Sequence, residues 1–347
     1  MISKANDEEQ NVEKLGSEGK FNRKSIMHVF TAIIDEIIKM ESIGDVAVDD
    51  IESDVVYVKE KEKQAQIVGP LKRRTIEEKA QIVGQLTRTS DNINLNFLKE
   101  IKVRTGNQSN KLTGCSILYN GEIIFSEYNV HSYTDRVTLN NSNGNYIHTI
   151  RALNRNSGSI YDITSIDTNT IAVSRDKVIV IVDFDTHNIV HTIQHDDPCY
   201  GITHCDGKLY YCHEKDGIRR FDLETKSDQL LVPTDIGQFS YITCDGNKLL
   251  YTSNTQTVSC CAMNGQQIWS FEDTSLLRSP RGVVVDNEGF VFVSGEQSGN
   301  IVVISPDGNA AKEVYQISSP RAMCYDESVN EILVCNTGKR VFWFEIE

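Results

Sequence analysis

The chain has 347 residues, of which 24% are charged, and a formal net charge of −14. It contains no run of 18 apolar residues, which excludes a membrane-spanning helix, and its hydrophilic first nine residues are not expected to act as a secretory leader. The nine cysteines are odd in number and unevenly spaced, as is typical of reduced thiols, so a cytoplasmic protein is expected.

The region before residue 93 is predicted to form an appendage. Residues 1–20 are rich in charged and small residues and are predicted to be disordered, and residues 21–92 a helical and linker region. Within residues 22–40, which Ser25 would cap, apolar residues recur at helical spacing. They are Ile26, Val29, Phe30, Ile33, Ile34, Ile37 and Ile38. This helix either pairs with another chain through residues 22–42 or folds back on the same chain, because fewer than three heptads make a marginal coiled coil.

A tandem duplication follows the predicted helix. Residues 61–75 align with residues 76–90, and both copies contain the string Lys/Gln-Ala-Gln-Ile-Val-Gly in a similar setting. Gly69-Pro70 should break any helix between the copies. The duplication is either a tandem docking element or a duplicated spacer, and we favour the spacer.

A module of about 40 residues then repeats six times between Leu112 and Phe344. Each copy has short apolar runs separated by turns, and an Asp in the first turn marks the period. These Asp residues are at positions 167, 206, 245, 286 and 326, so the spacings are 39, 39, 41 and 40. A fixed period of this length with strand-like content is typical of β-propeller blades.

Four short strands per copy predict a mainly β fold, a six-bladed β-propeller over residues 93–347. A single blade cannot bury both of its faces, so neighbouring blades must stack in a ring. The last copy supplies only three strands, at residues 322–325, 331–335 and 340–344. The alternating segment 97–103 is therefore predicted to return as the outer strand of the last blade and to close the ring.

One copy resembles an NHL repeat. Arg281-Gly282-Val283-Val284-Val285-Asp286, Gly289 with the run 290–293, Asn300-Ile301-Val302-Val303 and Asp307-Gly308 follow its pattern. The wider run of residues resembles the C-terminal half of TRIM-like proteins, a family that is expanded in bivalve molluscs. This resemblance implies a protein-interaction propeller, usually preceded by RING and B-box zinc modules and a coiled coil.

The zinc modules of that family are not expected here. The first 114 residues contain no Cys and one His, His28, whereas RING and B-box modules need Cys and His pairs at short spacing. The ubiquitin-ligase activity of complete TRIM proteins is therefore not carried over, and we expect a protein that is not itself an enzyme. The chain is then either a naturally RING-less member or a shortened gene product.

Nucleic acid is not an expected partner. Residues 96–347 carry 21 basic and 31 acidic side chains, a formal charge of −10. Such a surface repels phosphate at long range and has few cations with which to release counterions.

Metal-dependent chemistry is also not expected, and no cofactor is predicted. Lactonase-like propellers hold calcium through several side-chain oxygens at the starts of the inner strands, but the equivalent positions here contain one carboxylate, Asp162. A second group of possible ligands falls within 19 residues, but adjacent strand residues point to opposite faces, so no zinc site is predicted. These are His195, Cys199, His204, Cys205, Cys212 and His213. The sequence has no Gly-x-Ser-x-Gly or P-loop motif, and no catalytic residue is predicted.

The starts of the inner strands are the predicted binding site. Tyr and Arg anchor protein interfaces most often, through large rigid rings and forked donors. Five such residues are predicted to ring one mouth of the tunnel: Tyr161, Tyr200, Tyr241, Arg281 and Arg321. The repeated Ser-Pro-Arg at 279–281 and 319–321 predicts adjacent arginines suited to an acidic peptide or a carboxylate. The structural alternative is that all five only fill the tunnel.

The sequence thus predicts a scaffold or substrate-recognition propeller that binds a peptide or protein at this face. One alternative is a substrate-recruiting component of a ubiquitin-ligase assembly, joined to RING-containing relatives through residues 22–42. The other is a lactonase-like hydrolase of small molecules in the tunnel.

Overall fold

The computed structural model describes residues 88–103, 110–128, 136–150 and 159–347, together with the backbone of two earlier strands. The chain divides into two units, Met1–Gln85 and Leu86–Glu347. In the first unit, β1 (Val56–Glu60) and β2 (Gln64–Val68) form an antiparallel hairpin. The predicted helix over residues 22–40 lies outside the described residues. So does most of the duplication, apart from β2, which lies in its first copy.

The second unit contains six four-stranded antiparallel sheets, which are the predicted blades. Blade 1 consists of β4 (Lys111–Ile117), β5 (Ile123–Tyr128), β6 (Arg136–Asn140) and β7 (Tyr146–Thr149). Blade 2 consists of β8 (Ile160–Ser165), β9 (Thr170–Arg175), β10 (Val178–Asp183) and β11 (Asn188–Gln194). Blade 3 consists of β12 (Cys199–Cys205), β13 (Lys208–His213), β14 (Gly217–Asp222) and β15 (Asp228–Pro233).

Blades 4 to 6 complete the ring. Blade 4 consists of β16 (Ile242–Cys244), β17 (Lys248–Thr252), β18 (Val258–Ala262) and β19 (Gln267–Phe271). Blade 5 consists of β20 (Pro280–Val285), β21 (Val291–Gly295), β22 (Asn300–Ile304) and β23 (Ala311–Gln316). Blade 6 consists of β24 (Pro320–Asp326), β25 (Glu331–Asn336), β26 (Arg340–Ile346) and the earlier strand β3 (Leu95–Lys102). The predicted six-bladed, mainly β fold is confirmed.

The ring closes as the sequence predicted. Strand β3 pairs antiparallel with β26, with Ile101 opposite Val341 and Leu95 opposite Ile346, so one blade is built from both ends of the repeat region. Each innermost strand packs on the next, and β24 of blade 6 packs on β4 of blade 1. A 3₁₀ turn at Ser90–Asn92 precedes β3.

Burial explains why single blades are not stable units. The two middle strands of a blade are buried almost throughout: β21 and β22 have no exposed residue. Outer strands such as β11 are largely exposed instead, and Ile193 is the buried residue of β11. A strand that is apolar on both faces requires a covered sheet, and each neighbouring blade supplies one cover.

The Asp that marks the repeat makes an Asx turn between the first two strands of most blades. Asp245 Oδ1 accepts the backbone N–H groups of Asn247 and Lys248 at 2.8 and 2.7 Å. Asp167 accepts the equivalent N–H groups of Asn169 and Thr170, and Asp286 accepts those of Glu288 and Phe290. The carboxylate replaces backbone partners in a tight turn, which explains the 40-residue period of this residue.

Hydroxyl groups tie neighbouring blades together near the tunnel. Thr252 Oγ1 of blade 4 donates to the carbonyl oxygen of Arg281 in blade 5 at 2.9 Å. Ser294 Oγ of blade 5 donates to the carbonyl oxygen of Arg321 in blade 6 at 2.8 Å. Thr113 Oγ1 of blade 1 does the same for Ile160 in blade 2 at 3.1 Å. These buried bonds hold the innermost strands in register around the ring.

Candidate functional site: the tunnel mouth

Five of the blades bring aromatic and charged side chains together at one mouth of the tunnel. We call this group the mouth cluster; its members are Tyr161, Tyr200, Phe239, Arg281, Glu296 and Arg321. Four of these were predicted from the sequence. Phe239, which precedes the inner strand of blade 4, and Glu296, which follows β21 of blade 5, were not.

Three rings form the aromatic side of the mouth cluster. The ring centroids of Tyr161 and Tyr200 are 4.8 Å apart, in an edge-to-face arrangement. The ring of Phe239 lies 5.8 Å from Tyr161 and 5.9 Å from Tyr200. The ring of Tyr128, at the end of β5, extends the group at 6.2 Å from Tyr161. Blades 1 to 3 and the approach to blade 4 therefore share one aromatic surface.

Both tyrosines keep their protons at neutral pH. Burial raises the pKa of Tyr161 to about 12. Burial and the nearby Glu214 carboxylate raise the pKa of Tyr200 well above its usual value, and its hydroxyl donates to Glu214 Oε1 at 3.0 Å. The phenols are therefore neutral donors rather than acid–base groups.

The two arginines are not equivalent, although the sequence motif around them is the same. Arg281 Nε donates to Glu296 Oε2 at 2.8 Å, and its Nη1 donates to the carbonyl oxygens of Gln238 and Phe239 at 3.1 and 3.3 Å. Arg281 thus has several good acceptors and holds the loop that carries Phe239. Arg281 therefore fixes the position of this loop.

Arg321 is more buried and less well satisfied. It is 5% exposed, and its Nη1 reaches Glu296 Oε1 at a long 3.4 Å. Its Nε is buried without a hydrogen-bond partner among the described residues. The guanidinium carbon lies 4.4 Å from the centroid of the Phe239 ring, compared with 5.6 Å for Arg281. A buried cation with an unmet donor is costly, so this position is the one that a further acceptor would stabilise most.

Phe239 lies over the predicted binding residues. Its φ is +60°, a left-handed conformation that bulky residues rarely adopt. In blades 3, 5 and 6 the equivalent residues are Cys199, Pro280 and Pro320, and each pairs with the neighbouring strand. In blade 4 the ladder begins only at Ile242. No repeat pattern could indicate Phe239, because it acts where its blade departs from the repeat.

Tyr241 lies inside the tunnel and not on its rim. It is 6% exposed, and its hydroxyl donates to the carbonyl oxygen of Thr113. Because Thr113 belongs to blade 1 and Tyr241 precedes the inner strand of blade 4, the phenol bridges opposite sides of the ring. Tyr241 thus spans the ring, whereas the other four predicted residues contact Phe239.

Asp162 is a buried carboxyl group on the inner strand of blade 2. Its Oδ2 accepts the backbone N–H of Ile202 at 3.0 Å, and a Cβ added to Gly114 would lie 2.6 Å from its Oδ1. Burial raises the pKa of Asp162 well above its usual range. Burial thus disfavours the ionised form of this carboxyl group, which is the form that a hard cation binds.

The cysteines and histidines of blades 2 to 4 do not gather round one point. Among residues 88–103, 110–128, 136–150 and 159–347, no three His, Cys, Asp or Glu side chains are arranged to hold a metal ion. The rings of His195 and His213 are 5.4 Å apart, and burial lowers the pKa of His195. In the same part of the chain, none of the helices is long and apolar enough to cross a membrane.

Comparison with known proteins supports the fold alone. No protein-family model matches the sequence, and no curated protein matches it. A crystal structure of a structural-genomics protein of unknown function from Bacteroides thetaiotaomicron superimposes with a TM-score of 0.56 at 11% sequence identity. The match covers 74% of this chain and 76% of that protein. At this identity the likeness shows a shared propeller architecture.

Proposed function

We propose that this propeller is a non-enzymatic interaction module of the cytoplasm that binds a peptide or protein at the mouth cluster. The observation that carries the proposal is the joining of three aromatic rings and two guanidinium groups into one contiguous cluster at a single mouth. Aromatic residues and arginine supply most of the binding energy at protein interfaces. The formal charge of −10 over residues 96–347 favours a protein partner over nucleic acid.

We also propose kinship with the TRIM-like proteins, on the NHL-like pattern of residues 281–308. Pairing through residues 22–42 with RING-containing relatives would make the chain a recruiting component of a ubiquitin-ligase assembly. Those residues lie outside the described ones, so this alternative rests on the sequence. The hydrolase alternative is disfavoured because Tyr241 crosses the tunnel and because Asp162 is buried, which raises its pKa.

The test is the selection of peptides from a random display library on the full chain. We expect the selected peptides to lose at least tenfold in affinity, about 1.4 kcal/mol, when the surface is altered by Tyr161→Ser or Arg321→Gln. The matched controls are Tyr146→Ser on β7 and Arg220→Gln on β14, which change the same residue types on outer parts of their blades. Peptides that bind all four variants equally would overturn the proposal.

A further inference from the structure

The mouth cluster contains a ring and a carboxylate that come from the protein itself. Phe239 supplies the ring, which lies against the guanidinium groups of Arg281 and Arg321, and Glu296 supplies the carboxylate that bridges them. We propose that these two side chains stand in for the ligand. The mouth would then take an aromatic side chain that carries or adjoins a carboxylate, in the place that Phe239 now occupies. This inference rests on the proposed function.

The backbone around Phe239 is the first support. The ring lies on a segment outside the sheet, since the ladder of blade 4 begins at Ile242. Phe239 has a φ of +60° and Gly237 a φ of +67°, so two left-handed residues stand close together. For a phenylalanine this conformation is strained, whereas a glycine adopts it freely. Such strain persists when contacts hold it and is common at ligand clamps. The ring can therefore leave without breaking a strand.

The surroundings of the ring are the second support. Without the Phe239 side chain, the space would be bordered by two tyrosine rings and two guanidinium groups. Tyr200 and Arg321 are only 2% and 5% exposed, so the ring and its neighbours now cover the residues best suited to binding. Such a pocket favours an aromatic group, because cations and ring edges both interact with its π system.

The third support is the hydrogen bonding of Arg321, which indicates that the ligand carries a carboxylate. Its Nε is a buried donor with no partner among the residues that the structure describes, and its bond to Glu296 is 3.4 Å long. A ligand carboxylate would meet this donor and form a charge-assisted bond. Arg281, which already holds Gln238, Phe239 and Glu296, has less need of one.

The first experiment refills the place of the ring in the full chain. In Phe239→Ala, 3-phenylpropionate should bind with a Kd of about 1 mM and raise Tm by about 4 °C at 10 mM. The amide, 3-phenylpropionamide, should raise it clearly less, and the acid should leave wild type unchanged. The control is Phe97→Ala on the outer strand β3, another partly exposed phenylalanine in ring contact, which should show no rescue. Equal effects of acid and amide, or no rescue, would overturn the inference.

A second variant guards against failure of Phe239→Ala to fold. Phe239→Leu keeps an apolar side chain but weakens the ring contacts, and should show the same preference for the acid at smaller amplitude. In the double variant Phe239→Ala with Arg321→Gln, the preference for acid over amide should disappear. If this preference persisted in the double variant, Arg321 would not be the residue that binds the carboxylate.

A third experiment uses peptides to determine whether the carboxylate belongs to a chain terminus or to a Glu side chain. It also distinguishes failure of this inference from failure of the proposed function. The probes are a tetrapeptide ending in Phe with a free carboxylate, its C-terminal amide, and an amidated peptide with internal Phe-Glu. Phe239→Ala should bind at least one acidic form tenfold more tightly than wild type, because the pocket is open in advance. Library peptides that need Arg321 but bind no better after Phe239→Ala would refute the inference and leave the proposed function standing. If 3-phenylpropionate rescues Phe239→Ala but the library yields no binding peptide, the inference stands and the proposed function is refuted.

Discussion

Blades 4 and 5 are neighbours built from the same module, yet they differ where they meet the tunnel. In blade 5 the inner strand runs from Pro280 to Val285 and its first residue pairs with Gly295. In blade 4 the inner strand has only three residues, Ile242–Cys244. The outer three strands of the two blades pair in the same way.

This comparison indicates that different parts of one module have different roles. The shared strands build the ring, and the departures from the repeat build the mouth. Blade 5 has Gly282 at a position where blade 4 has Tyr241 and blade 2 has Asp162. The glycine allows two inner strands to approach, the tyrosine crosses the tunnel, and the aspartate lines it. Changes to shared features should therefore affect stability more than changes to the departures.

The largest effect is expected from removing the strand that closes the ring. Deletion of residues 93–106 would remove β3 and uncover the third strand of blade 6, including Trp343 and Phe344, which are buried. We expect Tm to fall by about 10 °C or more, or the chain to fail to fold, measured by thermal unfolding followed by circular dichroism. Deletion of residues 1–85, the first unit, is the control and should leave the transition nearly unchanged. Similar transitions for both deletions would mean that β3 does not hold the ring.

Gly282→Ala should come next, because all six blades share the packing of neighbouring inner strands, and Gly282 is where blade 5 packs on blade 6. A Cβ at this position would lie 2.4 Å from the carbonyl oxygen of Arg321 and 2.8 Å from the amide nitrogen of Met323, and neither backbone atom can move aside easily. We expect a loss of about 3 kcal/mol in the free energy of unfolding by denaturant. The control is Gly246→Ser, in a turn where an added Cβ meets nothing within 4 Å. Its expected cost is the backbone strain of a serine at a φ of +88°. A smaller loss for Gly282→Ala than for Gly246→Ser would contradict the account.

A change at a residue where a blade departs from the repeat should cost less unfolding free energy, and Tyr241→Phe tests this expectation. The change removes one hydroxyl and leaves the carbonyl oxygen of Thr113 without that donor, at an expected cost of about 1–2 kcal/mol in unfolding free energy. Tyr200→Phe is the matched control, since its hydroxyl partner Glu214 is only partly buried and retains access to water. The expected order is a larger loss for Tyr241→Phe. The reverse order would show that the bridge across the tunnel contributes little.

The sequence was sufficient for everything that the six modules share. The period of Asp167, Asp245 and Asp286 gave the turns, and the missing fourth strand of the last copy gave the closure by residues 97–103. These predictions succeed because strand alternation and Asx turns depend on local sequence.

The mouth could be predicted only in part. Positions 161, 200, 281 and 321 follow from the repeat and lie together as expected. The roles of Phe239 and Glu296 depend on contacts between blades, and Tyr241 reaches a residue more than 100 positions earlier in the chain. Such long-range contacts leave no local periodic signal. The identical Ser-Pro-Arg strings likewise conceal the difference between Arg281 and Arg321, which their acceptors determine.

The smallest effect is expected from Asp162→Asn, and it should depend on pH. Burial raises the pKa of Asp162 in the folded chain above its value in the unfolded chain, so the folded state binds more protons between the two values. The contribution of Asp162 to stability should therefore be greatest below about pH 4, the usual pKa of a free aspartate, and fall as the pH rises through the interval up to the folded-state pKa. Asparagine keeps an acceptor for the N–H of Ile202 but cannot ionise. The difference in Tm between Asp162→Asn and wild type should thus become more positive from pH 4 to pH 8, by a few degrees at most. A difference that stays constant or becomes more negative over this range would mean that burial does not raise the pKa of Asp162. Blade 2 would then depart from the repeat for another reason.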